Sequence, residues 1–175
     1  MVVKTVYPSS DGNNNFSTVY PSGSSHYSVL QTNDSNDSYI ETIGQQLELH
    51  PLVLPGRIKT INSLKVWYYA GLTHEQSQNR FVKSAIWSSD IDIRLSDVHI
   101  YIPFPNVYSY FSDTWLTNPK TGVAWTVADL RDYSFHYGLQ AYNDYGQVRV
   151  TQLGIDIDCE LRPASGGAQI IGLSY

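Results

Sequence analysis

Gln147-Val148-Arg149-Val150-Thr151-Gln152-Leu153-Gly154-Ile155-Asp156-Ile157-Asp158-Cys159-Glu160-Leu161 alternates, with one slip, between apolar and polar residues. In an extended chain residues two apart share a side, so one face of this stretch is oily and the other carries charge. The slip falls at Thr151 and Gln152, where the phase moves by one residue, as a β-bulge would move it. The reading is a long, half-buried antiparallel strand in which Val148, Val150, Ile155 and Ile157 point inward and Asp156 and Asp158 point to solvent or to a partner.

Outward from this strand the same pattern recurs between turns. Strands are expected near 47–54, 57–70, 80–87, 91–102, 107–116, 133–142 and 147–161, with an edge strand or arm at 168–175. Leu64, Val66 and Tyr68 alternate with Lys65, Trp67 and Tyr69, and either phase of this aromatic run could face inward. Val98, Ile100 and Ile102 alternate with His99 and Tyr101. Helix is expected only near 126–131, where Thr126 followed three residues later by Asp129 is a capping arrangement that satisfies free N–H groups at a helix start. Many short strands and one short helix predict an all-β fold, an antiparallel β-sandwich of jelly-roll type.

Three regions follow. Residues 1–46 are polar and punctuated by Pro8, Gly12, Pro21, Gly23 and Gly44. They read as an N-terminal arm with extended segments packed on the body. Within them Thr5-Val6-Tyr7-Pro8-Ser9 recurs as Thr18-Val19-Tyr20-Pro21-Ser22, two short extended pieces joined by the Asp11-Gly12 turn. Residues 47–165 form the β-sandwich body. Residues 166–175 form a C-terminal arm or edge strand, freed by Gly166-Gly167 and anchored by Ile170 and Leu173.

The 175 residues carry 11 basic and 16 acidic side chains, a net charge of -5, and 14 tyrosines. A nucleic-acid binder needs a basic stripe to displace counterions from phosphate, so nucleic acid is not an expected partner. No apolar run approaches the ~20 residues that cross a bilayer, and no signal peptide is visible, so a membrane is not expected and synthesis in a cytoplasm is. The one cysteine, Cys159, falls on the apolar face of the last strand and reads as a packing residue.

Candidate chemistry is thin. His26, His50, His74, His99 and His136 are scattered without ligand spacing, so no metal is expected. Asp34, Asn36 and Ser38 alternate as in a calcium loop, but Tyr39 stands where the turn needs glycine. Asp90 with Asp92, and Asp156 with Asp158, have the form of paired carboxylates, yet nothing separates a proton donor from its partner. No nucleophile elbow surrounds any serine. No catalytic residue, cofactor or enzymatic activity is expected. Trp67, Tyr69 and Tyr101, on the outward phase of their strands, are the candidates for a protein interface or for stacking on a sugar.

Val6-Tyr7-Pro8-Ser9-Ser10-Asp11-Gly12, then His26-Tyr27-Ser28-Val29-Leu30, then Ser38-Tyr39-Ile40 resemble the start of a group of tailed-phage virion structural proteins. Asn118-Pro119-Lys120-Thr121-Gly122-Val123-Ala124-Trp125-Thr126 and Val148-Arg149-Val150-Thr151-Gln152-Leu153 are similar to its second half, in matching order across most of the chain. The resemblance implies a β-sandwich virion component, assembled in the host cytoplasm, and supplies no catalytic residues. The expected role is a capsid-associated decoration or cement protein, homo-oligomeric and held to the major capsid protein or to tail proteins by surface contact. The alternatives are a tail or fibre component and a carbohydrate-binding module.

Overall fold

A computed structural model describes residues 1–34, 37–73, 80–89, 91–96, 107–131, 134–144 and 146–163. In chain order the elements are β1 (Val2–Val6), β2 (Asn13–Asn14), β3 (Thr18–Tyr20), α1 (His26–Val29), β4 (Tyr39–Thr42), β5 (Gln46–Pro51), β6 (Ile58–Leu72), β7 (Arg80–Trp87), β8 (Arg94–Leu95), β9 (Ser109–Trp115), α2 (Val127–Arg131), β10 (His136–Asn143) and β11 (Val148–Leu161). The protein is all-β. One sheet has the order β3-β4-β11-β6-β9 with β1 also on β11, the other the order β2-β5-β10-β7-β8, and every pairing is antiparallel. The apolar core draws on both sheets.

β11 is the central strand of the six-stranded sheet. Val148, Val150, Leu153, Ile155, Ile157 and Cys159 are fully buried on its inner side. The bulge lies at Thr151, where pairing with β6 jumps from Val150 to Gln152. It divides the other edge of β11 in two: β4 pairs with Val148 to Val150, β1 with Ile155 to Cys159. The gap between them is filled by the chain after α1. Leu153 N–H donates to the Leu30 carbonyl at 3.0 Å, and the buried Thr151 hydroxyl donates to Asn33 Oδ1 at 3.1 Å. Two further register shifts come from extra residues in β6, so the alternation of β11 itself runs on undisturbed.

The phase of the aromatic run in β6 is now fixed. Leu64, Val66 and Tyr68 face the core and Trp67 does not join it. Tyr68 spans the interior, donating its hydroxyl to the Val82 carbonyl of β7 at 3.1 Å. Burial, with Asp113 nearby, pushes its pKa up. The helix α2 starts as its sequence implies: Thr126 N–H donates to Asp129 Oδ2 at 2.7 Å, and Asp129 N–H to Thr126 Oγ1 at 3.2 Å.

Residues 1–46 supply extended segments to both sheets. β1, β3 and β4 belong to the six-stranded sheet and β2 to the five-stranded one. The chain thus crosses between sheets from Asn14 to Thr18, and Phe16, 4% exposed, closes the flank between them. Many backbone groups of residues 1–46 pair at strand edges, while Phe16, Val29, Leu30 and Ile40 contribute side chains to the core.

β5 inverts the usual pattern. Its partners across β10 show that Gln46, Glu48 and His50 share the side of the core residues Ala141, Leu139 and Tyr137, while Leu47 and Leu49 lie on the outer side. Glu48 and His50 are fully buried.

Candidate binding faces of the two sheets

The outer face of the six-stranded sheet is organised by Trp67 and Asp156. Gly154 stands directly across from Trp67, and a Cβ there would lie 2.4 Å from the indole, so only glycine lets the ring lie across β11. The indole N–H donates to Asp156 Oδ1 at 3.1 Å. The same carboxylate accepts from Thr5 Oγ1 at 2.8 Å and meets Lys65 Nζ at 2.8 Å. The hydrogen bond to Asp156 holds the Lys65 pKa above its ordinary value against the opposing effect of burial.

Around this centre sit three tyrosines. Tyr7 meets Trp67 edge-on at 5.7 Å, Tyr69 at 6.5 Å, and Tyr110 stacks at 6.1 Å. Trp67 is therefore on the outward side, and at 7% exposure it is a covered anchor and not an open platform. Tyr69 is half-buried. The rings open to a partner are Tyr110 and Tyr7, at 46% and 40% exposure, next to Val3 at 59%. Tyr101, Ile170 and Leu173 lie outside the described residues, as do Val98, Ile100 and Ile102.

Beside the aromatic group a cleft of about 180 Å³ is lined by Val3, Ser63, Lys65, Thr114, Asp156 and Asp158. Asp158 Oδ1 is buried there with no hydrogen-bond partner among the described residues. Asp156 and Asp158 thus lie outward of the core, partly covered by β1. The Asp156 carboxyl group is thus engaged by Lys65, Trp67 and Thr5 together.

Further along the same face, Arg149 Nε donates to Glu41 Oε2 at 2.9 Å and Gln147 Nε2 to Glu41 Oε1 at 2.9 Å. The guanidinium lies 4.2 Å from the centre of the Tyr39 ring, which in turn stacks on Tyr20 at 5.2 Å.

The outer face of the five-stranded sheet differs. Trp87 and His136 pair across β7 and β10, their rings 5.1 Å apart at 67°. With Asn13, Leu49 and Ile93 they line a cavity of about 360 Å³. His136 Nδ1 lies 2.6 Å from the Ser134 carbonyl; a carbonyl only accepts, so Nδ1 carries the proton and Nε2 of the neutral ring is an acceptor. Leu49 reaches 2% exposure as the floor of this cavity, which accounts for the inverted phase of β5.

Asp34 and Cys159 resolve as turn and packing residues, and the histidines differ from their reading. Asp34 accepts from the Ser38 N–H at 3.1 Å and hydroxyl at 2.7 Å, an internal turn bond. Cys159 is fully buried, and burial, then Asp158, push its thiol pKa up. The histidines are not all scattered: His26 and His50 meet at Glu48, each with a ring nitrogen 3.0 Å from Oε1. Residues 26 and 48 are too far apart in sequence for spacing to reveal this; only the Glu48-x-His50 repeat on one strand face hinted at half of it. Among the described residues no group of three or more His, Cys, Asp or Glu has metal-binding geometry, and no helix is long and apolar enough to cross a membrane.

No protein-family model matches the chain, and no curated protein matches it.

Proposed function

We propose that this protein is a non-enzymatic virion subunit of jelly-roll type that decorates or cements a phage capsid by surface contact. The strand order supports the fold part of the reading. β4-β11-β6-β9 in one sheet and β5-β10-β7-β8 in the other put each strand opposite its sequence neighbour, as when a long hairpin is rolled into two sheets. Viral capsid and lectin domains use such double-sheet rolls. Fold alone does not assign a role, so the surface carries the rest.

The observation that carries the reading is the outer face of the six-stranded sheet. Val3, Tyr7 and Tyr110 stand open around an anchored Trp67, ringed by Lys65, Asp156 and Arg149. An apolar and aromatic centre with a polar rim is the anatomy of a protein interface, and a stable one buries roughly 800 Å² per partner. The partners are further copies of this chain and the major capsid protein. Cryo-electron microscopy of the particle tests it. Density for the protein on the shell, with this face against a neighbour, is the expected result; density confined to the tail would move the protein to the tail or fibre class.

A glycan-binding reading is favoured by one specific observation, the cavity between Trp87 and His136. Its volume falls within the roughly 300–1,000 Å³ of small-molecule sites, and it joins an indole face to a ring-nitrogen acceptor and the Asn13 amide. On this reading the stacking ring is Trp87, in place of Trp67. A glycan array run with the wild type and Trp87→Ala decides it: binding lost in the variant supports the site, and no binding by the wild type removes it.

A further inference from the structure

We propose that Glu48, His26 and His50 form a proton-held clasp that fastens residues 8–30 into the flank between the two sheets and releases them as pH rises. The proposal does not depend on the virion reading.

Among the described residues, the side-chain contacts of the cluster join β5 to the N-terminal segment. Glu48 and His50 come from β5, and His26, 16% exposed, from α1. Glu48 Oε1 lies 3.0 Å from His26 Nδ1 and 3.0 Å from His50 Nε2, and its Oε2 accepts from the Phe16 N–H at 3.5 Å. His50 Nδ1 lies 3.1 Å from the Ser10 carbonyl. Three of the four tethers therefore reach Ser10, Phe16 and His26, all in the segment that crosses from one sheet to the other.

The chemistry requires a proton. The Ser10 carbonyl can only accept, so His50 Nδ1 carries a hydrogen. A neutral His50 then has a bare Nε2, buried without an aligned hydrogen bond and 3.0 Å from a carboxylate oxygen. Two acceptors facing each other away from water repel; adding a proton turns the contact into an ion pair. The carboxylate acts the same way on His26. Its pKa is raised first by the hydrogen bond to Glu48 and further by the charges of Glu48 and Asp11, with burial opposing. Asp11 also fixes α1 by accepting the Tyr27 N–H at 2.9 Å. The remaining neighbours add no charge: Leu139 of β10 is opposite Glu48, and Tyr137, opposite His50, is held neutral by burial with its hydroxyl on the Val6 carbonyl.

The sign follows from the raised value. The contribution of His26 is fully present below its unfolded pKa of 6.5 and is lost as pH climbs through the higher folded pKa. Below that, the His26 imidazolium holds the Glu48 carboxylate. Above it, a carboxylate and a bare ring nitrogen are left buried together.

Hydrogen exchange of the full chain, corrected for the intrinsic effect of pH, is the test. Between about pH 6 and about pH 8.5, protection of amides in 13–20 and 26–30 should fall roughly tenfold or more, the change that one pKa unit of linkage produces, while β6 and β11 keep theirs. His26→Gln retains a donor but cannot take up a proton, and should flatten the dependence. Nitrogen NMR of the wild-type imidazoles gives a check that needs no variant: at about pH 6 the His26 ring should be doubly protonated. Protection of 13–30 that ignores pH, or a neutral His26 ring at about pH 6, overturns the clasp.

Discussion

The interior of this protein has two ends that are built differently. Between β6 and β11, Leu64, Val66, Leu153, Ile155 and Ile157 pack without a polar atom among their side chains, all fully buried. Between β5 and the N-terminal segment, the same interlayer space holds Glu48 and His50, equally buried, with His26 at its mouth. The aliphatic end is held by area removed from water, which does not respond to protons. The polar end is held by ion pairing that does. A buried charge network adds little stability compared with an apolar replacement, but removing one partner is severe, so such a site makes a joint conditional more than it makes it strong.

The sharpest way to break this contrast is Glu48→Gln, which leaves two buried imidazoles without their carboxylate. A loss of about 3–5 kcal/mol is expected in denaturant unfolding at about pH 6, shrinking toward higher pH as the wild type loses the same contribution. A loss that is constant with pH would mean the two ends are alike. Ile155→Ala at the aliphatic end should lose about 2–5 kcal/mol through transfer and cavity terms, and equally across that pH range. Gly154→Ala probes the outer side of the same strand. Its new Cβ collides with the Trp67 ring and should cost about 1–3 kcal/mol, with a change in indole fluorescence as the Asp156 bond breaks. Thr126→Ala removes one half of the α2 cap and should cost about 1 kcal/mol without touching either end, as thermal unfolding would register. The smallest effect on stability is expected from deleting residues 166–175. The midpoint of unfolding should stay in place while joining to particles is lost; a truncated chain that assembles normally would end the idea of a C-terminal arm anchored by Ile170 and Leu173.

Strand content was legible wherever alternation was long. β11 and its bulge at Thr151, β7 at Arg80–Trp87 and the capped α2 appear where apolar periodicity and turn chemistry put them. β8 is a two-residue strand, Arg94–Leu95, within the expected 91–102, whose later part lies outside the described residues. Short strands were harder. β2 and β3 have two and three residues, too few for a period to emerge, and they exist because β5 and β4 offer free edges. For the candidate sites, neither the phase that places Trp67 and Tyr69 outward nor whether a ring is open was readable, because Trp67-Tyr68-Tyr69 is aromatic on both sides. Tyr7, which covers Trp67, lies sixty residues earlier in the chain.

By itself the sequence determined what alternation can encode: an all-β chain, the inner face of β11, a buried thiol at Cys159 and the helix start at Thr126. Tertiary structure alone decided what depends on partners distant in the chain: that residues 1–46 complete both sheets, that Trp67 is anchored and Trp87 borders a cavity, and that β5 turns its leucines outward. The last is the clearest case. Local hydrophobicity favours Leu47 and Leu49 inside, but a strand has one phase, and pairing Glu48 with His26 and His50 while Leu49 floors the Trp87 cavity satisfies both of its faces. That choice is a property of the neighbours on each side, which no window along the chain contains.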